Sequence, residues 1–139
     1  MAAKPIPDKN HFDILVVDDN HEQANIIKLL IEQYGFPAQF TTDSQTAFQK
    51  ILDRKPRLVI LDLMMPEVDG LRLLKMIKEH PETTHTKIII YSGKIYESDR
   101  RKALALGADI FLTKPSRSYI LLDAIKNLLL PAENEVVHS

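Results

Sequence analysis

The 139-residue sequence contains no cysteine, which excludes disulfides, thiolate metal sites and thiol chemistry and suits a reducing, cytoplasmic setting. Neither sign of charge is in excess, since 18 Lys and Arg oppose 19 Asp and Glu for a net charge of -1. A bulk positive field to hold a phosphate backbone is therefore lacking, and direct nucleic-acid binding is not expected. Long hydrophobic runs are missing too. Ile14-Leu15-Val16-Val17 and Leu58-Val59-Ile60-Leu61 stop after four residues, far short of the roughly 20 that cross a bilayer, so no membrane association is expected. Glycine is scarce, and the four present, at 35, 70, 93 and 107, are isolated, which leaves no Gly-rich loop to cradle a nucleotide. Residues 1–11 carry Lys4, Lys9 and two prolines without an apolar stretch. They are expected to form a flexible lead-in and do not resemble a secretory signal.

What is present is a chain 45% hydrophobic and 27% charged, enough for one globular domain that buries roughly two thirds of its unfolded surface. Short apolar runs alternate with segments of helical period, the pattern of repeated βα units around a parallel sheet. Five strands are expected, over 12–17, 36–41, 57–61, 87–91 and 109–112. The second contains Pro37 and mixes polar with apolar residues, which suits a sheet edge. The other four are nearly continuously apolar, as strands covered on both faces are.

Between the strands, Ile27, Leu30, Ile31 and Tyr34 form a first helical stripe, with Asn20 and Gln23 as a capping pair and Gly35 as a stop. Ala47, Phe48, Ile51 and Leu52 form a second, begun after Asp43-Ser44 and ended before Pro56. Leu73, Leu74 and Ile77 form a third, and Ala103, Leu104 and Leu106 a weaker fourth. Leu121, Leu122, Ile125, Leu128 and Leu129 form the clearest stripe, closed by Pro131, with 131–139 expected as a short polar tail. Core packing accounts for all of these stripes.

Polar residues recur immediately after the strands: Asp18-Asp19, Asp62, Ser92 and Lys114. In a parallel sheet these positions share one rim, where open α/β folds bind ligands. Two unit charges about 4 Å apart repel by roughly 4 kcal/mol at an effective dielectric near 20, so three clustered carboxylates need counter-charge. Lys114 supplies one positive charge and leaves the cluster net negative, suited to a divalent ion held by oxygen ligands, with Mg²⁺ the leading candidate. Taken singly, Asp18-Asp19 could cap a helix, Ser92-Gly93 could be a turn and Lys114-Pro115 a loop start. Their common rim favours a site.

Val16-Val17-Asp18-Asp19, Leu61-Asp62-Leu63-Met64-Met65-Pro66, Val68-Asp69-Gly70, Ser92-Gly93, Gly107-Ala108-Asp109 and Lys114-Pro115, in this order on a five-unit α/β pattern, resemble the receiver domain of two-component response regulators. The resemblance spans 12–130. It implies a flavodoxin-like, doubly wound parallel sheet of strand order 2-1-3-4-5 flanked by five helices. By resemblance, Asp62 is the phosphoacceptor and Asp19 and Asp62 are carboxylate ligands of Mg²⁺, with Asp18 acting through water and Met64 through its backbone carbonyl. Ser92 corresponds to the switch hydroxyl, Phe111 to the aromatic switch, and Lys114 to the lysine that pairs with the carboxylate and then the phosphoryl group. The bond to Pro115 is expected to be cis.

The implied function is a signalling switch and not a conventional enzyme, catalysing only its own phosphorylation and dephosphorylation. A histidine kinase, a histidine phosphotransfer protein or a small phosphodonor is expected upstream, and a protein target downstream, with a phosphorylation-dependent dimer left open as an active form. Output through contacts, without an attached output domain, is the expectation for a chain with only 131–139 after the last helix. Lys94, Arg100, Arg101, Lys102 and Arg117 concentrate positive charge near the fourth helix, read either as a solvated face or as a surface for an acidic partner. Met64 and Lys94, two positions past Asp62 and Ser92, are expected to tune the phosphate lifetime. Ser116 stands where the family often has an aromatic, and it rivals Ser118 as cap of the last helix.

A phosphohydrolase with an aspartyl nucleophile would need a second acid where Met64 stands, and a flavin site would hardly collect three carboxylates. The remaining alternative is a receiver-like interaction module that works without phosphorylation.

Overall fold

The computed structural model describes residues 11–65, 70–93 and 96–130. Ten elements follow in strict alternation: β1 (Ile14–Val17), α1 (His21–Gln33), β2 (Ala38–Thr41), α2 (Ser44–Arg54), β3 (Leu58–Leu61), α3 (Gly70–Glu79), β4 (Lys87–Ser92), α4 (Glu97–Ala105), β5 (Ile110–Thr113) and α5 (Ser118–Leu129). All strands pair in parallel in the order β2-β1-β3-β4-β5, as expected.

Strand alternation divides the core into two layers. Leu15, Val17, Val59, Leu61, Ile88 and Ile90 pack under Ala47 and Ile51 of α2, Leu73, Leu74 and Ile77 of α3, and Ala103 of α4. Ile14, Val16, Leu58, Ile60 and Ile89 pack under Ala24, Ile27 and Ile31 of α1 and Leu121, Ala124, Ile125 and Leu129 of α5. This two-sided cover explains why β1 and β3 are apolar at every position and fully buried. β2 lies at an edge, as its proline and mixed composition indicate. The edge position of β5 is the one the expected strand order gives, but its burial differs from the expectation of a strand covered on both faces. β5 forms the opposite edge and is half-buried, ending on an exposed Thr113.

The turns follow local chemistry. Asn20 caps α1, its side chain accepting from the Gln23 N–H at 3.0 Å, and Asp43 caps α2 through the Gln45 N–H at 2.9 Å. Gly35 follows α1 at φ 95° and Gly107 follows α4 at φ 111°, a left-handed region that glycine enters without steric cost. Past Gly107, the Asp109 carboxylate accepts from the Ile88 N–H at 2.8 Å while its own N–H donates to the Ile88 carbonyl at 2.9 Å. The Gly107-Ala108-Asp109 run is thereby accounted for as the device that seats β5 against β4.

Three sequence expectations are corrected. Tyr34 is exposed at the end of α1 and not part of its stripe, because the helix stops at Gln33 and Tyr34 leaves the helical conformation. In α4 only Ala103 is buried, with Leu104 exposed and Leu106 partly covered. Neither serine caps α5. Its N-cap is Arg117, without a side-chain bond, since the Ser116 hydroxyl lies 3.1 Å from the Tyr91 hydroxyl and Ser118 already starts the helix.

Candidate functional site: an acidic cup at the strand ends

Parallel register brings the post-strand residues together. Val17 is paired with Leu61, so the next residues, Asp18 and Asp62, emerge side by side, with the Asp62 N–H donating to the Val17 carbonyl at 3.0 Å. Leu61 is paired with Ile90, and Ser92, two residues on, projects from the same face of the sheet towards Asp62. Ser92 is paired with Thr113, and the following Lys114 N–H donates to the Ser92 carbonyl at 2.7 Å. The next peptide bond, Lys114–Pro115, is cis.

The side chains converge further. Ser92, fully buried, donates its hydroxyl to Asp62 Oδ1 at 2.6 Å, and the Leu63 N–H donates to the same hydroxyl oxygen at 3.3 Å. The Met64 N–H donates to Asp62 Oδ1 at 2.9 Å. Lys114 Nζ donates to Asp18 Oδ2 at 2.5 Å, to Gln23 Oε1 at 2.9 Å and to Asp62 Oδ2 at 3.4 Å. Asp18 Oδ1 accepts from the Asn20 N–H at 2.9 Å. Burial raises the Asp18 pKa above the usual carboxylate range, against the opposing pull of the Lys114 and Asn20 hydrogen bonds and the Lys114 charge, and the neighbouring Asp62 adds to the rise.

Asp18, Asp62 and Lys114 line an open cup of about 430 Å³ with Asp19, Asn20, Gln23, Met64, Gly93 and Pro115. Asp18 and Asp62 are buried and Asp19 is exposed, and all three offer carboxylate oxygens within 4.8 Å of one another. Hard oxygen donors in excess of the single ammonium among them are what Mg²⁺ takes, so the donor set fits that ion. The exposed Met64 side chain stands at the mouth.

Phe111 is paired with Ile90, on the same face as Ser92, and packs half-buried against the layer under α2, α3 and α4. Of the basic group, Arg100 and Arg101 both reach Glu97, at 3.1 and 3.7 Å, so part of that charge is spent within α4. Lys94 lies outside the described residues, as do Pro66, Val68 and Asp69 of the quoted motifs.

Two partners of the site were not legible from the motifs. Gln23, expected only to close a capping pair, sends its side chain to Lys114 instead. Tyr91 places its ring 5.6 Å from Lys114 Nζ and its hydroxyl 3.3 Å from the Ser116 N–H. Its bulk on the β4 strand is the one available signal, and nothing local points to Ser116.

A family model described as the response regulator receiver domain matches residues 14–126. The chain belongs to that family. This receiver is 32% identical over 124 residues to the phosphate regulon transcriptional regulatory protein PhoB of Rhizobium meliloti (strain 1021), covering 89% of the chain and 55% of that protein. It is 33% identical over 116 residues to the PhoB protein of Pseudomonas aeruginosa, covering 84% of the chain and 51% of that protein. The receiver thus spans about half the length of these curated relatives.

Among solved structures, a CheY-like receiver domain protein from Methanospirillum hungatei JF-1 superposes with a TM-score of 0.82 at 25% identity, covering 91% of this chain and 99% of that one. The receiver domain of a signal transduction histidine kinase from Syntrophus aciditrophicus superposes at 0.77 with 30% identity, covering 85% and 89%. The receiver is a module of phosphorylation-based two-component signalling. Among the described residues no helix is long and apolar enough to cross a membrane.

Proposed function

We propose that this receiver is a phosphorylation switch in which Asp62 accepts a phosphoryl group in a Mg²⁺-dependent reaction and relays the signal by protein contact in the cytoplasm. The observation that carries the reading is the convergence on Asp62 of one hydroxyl, one ammonium and two further carboxylates from the ends of three other strands. An interaction module indifferent to phosphorylation would gain nothing from burying mutually repelling acids.

In the transfer, an Asp62 carboxylate oxygen attacks phosphorus. The P–N bond of a phosphohistidine, or the P–O bond of acetyl phosphate, breaks with its electron pair leaving on the imidazole, which takes a proton, or on acetate. The product is a mixed anhydride that water returns to carboxylate and inorganic phosphate. Asp19 and Asp62, with Asp18 through water and the Met64 carbonyl, are the residues assigned to Mg²⁺, which supplies charge compensation for the phosphoryl oxygens. The Met64 N–H and the Ser92 hydroxyl fix the acceptor's rotamer. Lys114, held by Asp18, presents a cation on the Oδ2 side, where positioning and charge do most of the catalytic work.

For output, the Ser92 hydroxyl moves to a phosphoryl oxygen and Phe111, on the same face, turns into the space released, which alters the surface of α4, β5 and α5. The upstream partner is a phosphohistidine-bearing protein. Exposed Ile26 and Leu29 on α1, beside a groove of Ile27, Tyr91 and Pro115 that opens next to the cup, offer it an apolar seat.

Intact-mass analysis after incubation with acetyl phosphate and Mg²⁺ tests the core of this reading. The wild type gains one phosphoryl group and Asp62→Asn does not. Equal uptake by both, or none by the wild type, rules it out.

A further inference from the structure

The Lys114 ammonium has three hydrogens, and the structure gives it three acceptors: Asp18 Oδ2 at 2.5 Å, Gln23 Oε1 at 2.9 Å and Asp62 Oδ2 at 3.4 Å. The first two bonds are short and the third is long. A lysine side chain carries four torsions and loses considerable rotamer freedom when fixed, so two firm bonds are what set the direction of the third hydrogen. We infer that Gln23 is a positioning residue for phosphoryl transfer, holding Lys114 so that its remaining hydrogen points at the place beside Asp62 that a phosphoryl oxygen takes. The inference rests on the phosphorylation reading above and adds to it a residue outside the strand-end motifs.

The chemistry of the side chain suits the task. An amide oxygen accepts from the ammonium without adding a fourth negative charge to Asp18, Asp19 and Asp62. A carboxylate at position 23 would bind Lys114 more strongly but would repel an anionic donor. Gln23 is the third residue of a capped helix whose start is tied to Asn20, so its reach to Lys114 is set by rigid backbone and not by a loop. It also lines both the cup and the adjoining groove of Ile26, Ile27, Tyr91 and Pro115. The lysine is therefore braced from the α1 side by Gln23 and lies against the Tyr91 ring, 5.6 Å from its centroid. A cation so fixed is preorganised for the charge that develops on the equatorial oxygens, and one that must be ordered during the reaction is not.

The test is Gln23→Met, which keeps side-chain length and helix propensity and removes the acceptor. The rate of acetyl phosphate labelling at saturating Mg²⁺ is measured for the wild type, Gln23→Met, Lys114→Ala and the double variant. Gln23→Met is expected to slow labelling by about tenfold, the value of a hydrogen bond to a charged group. In the Lys114→Ala background the same substitution is expected to change the rate less than twofold, because a residue acting through Lys114 has nothing left to position.

A denaturant-unfolding cycle on the same four proteins provides a readout that needs no activity, with Gln23 and Lys114 expected to be coupled. Equal labelling of wild type and Gln23→Met, equal loss with and without Lys114, or additive unfolding free energies would each overturn the inference. A wild type that takes up no phosphoryl group would instead remove the reading on which it rests.

Discussion

Replacement of Gly70 by alanine tests how the phosphoacceptor loop is supported. A Cβ built on Gly70 would lie 2.6 Å from the Leu63 Cα, 2.7 Å from the Asp62 carbonyl oxygen and 3.1 Å from Leu63 Cδ2. Two of these are backbone atoms, and carbon contacts are comfortable only near 3.5–4.0 Å, so the chain at 62 and 63 must retreat by about 1 Å. Overpacking of this kind costs about 1–3 kcal/mol. Alanine in place of a helical glycine would by itself add up to about 1 kcal/mol of stability, so the two effects have opposite signs.

A net loss of about 1–2 kcal/mol is expected, which lowers the melting temperature by roughly 3–4 °C per kcal/mol for a chain of this size. Because the displaced residue is Asp62 itself, and a 1 Å misplacement can cost about 100-fold in rate, labelling by acetyl phosphate should fall far more than stability does. Thermal unfolding followed by circular dichroism, together with labelling rates, measures both. Gly93→Ala, whose added methyl meets nothing within 4 Å, serves as the control. A Gly70→Ala protein as stable as the wild type or more so, or one that labels at the wild-type rate, refutes the close contact as the reason for glycine there.

Asp18→Asn is expected to stabilise the metal-free protein at neutral pH. Burial raises the folded-state pKa of Asp18 above 3.8, so the folded state holds the proton more tightly and stability falls as pH rises from 3.8 through the folded value. Urea titrations between pH 4 and neutrality should show the stability of the wild type falling relative to that of the variant as pH rises. Lys78 has the opposite proton balance. Burial lowers its folded pKa below 10.5, with Asp109 opposing the shift and Lys87 adding to it, so the unfolded state binds more protons and stability rises as pH climbs from the folded value towards 10.5. The stability of the wild type relative to Lys78→Met should therefore rise across that alkaline window.

Magnesium should raise the melting temperature by mass action, with about 2.7 kcal/mol expected at a hundred times its dissociation constant. Asp19→Asn should reduce the gain, and an equal gain in calorimetric melts would remove Asp19 from the ligand set. Arg57 donates to the Leu129 carbonyl at 3.0 Å. Its replacement by methionine should cost about 1 kcal/mol and speed amide exchange over the last turn of α5, with unchanged exchange as the contrary result.

The strands and the rim were legible because each rests on local information. Four consecutive apolar residues covered on both faces, as in β1 and β3, leave few alternatives, and a polar residue directly after such a run must lie at its carboxyl end. The reduced burial of β5 is not legible because an apolar run does not tell how much cover a strand receives at an edge whose neighbour is missing. Gln23 and Tyr91 escaped notice for a different reason. Each meets its partner across a long stretch of chain, 91 residues for Gln23 and Lys114 and 25 for Tyr91 and Ser116, and neither periodicity nor spacing encodes such a meeting. The start of α5 is not legible from its two serines, because Ser116 meets the Tyr91 hydroxyl, a partner that only the tertiary structure supplies.

The hydroxyl of Ser92 joins the acceptor's carboxylate, to which it donates, and the Leu63 amide, from which it accepts. Turning the hydroxyl away leaves that buried amide hydrogen without this acceptor, at a cost of about 1–3 kcal/mol. On the proposed reading, the phosphoryl contact has to outweigh that cost before the hydroxyl leaves Asp62, so the unphosphorylated receiver is held in the position described.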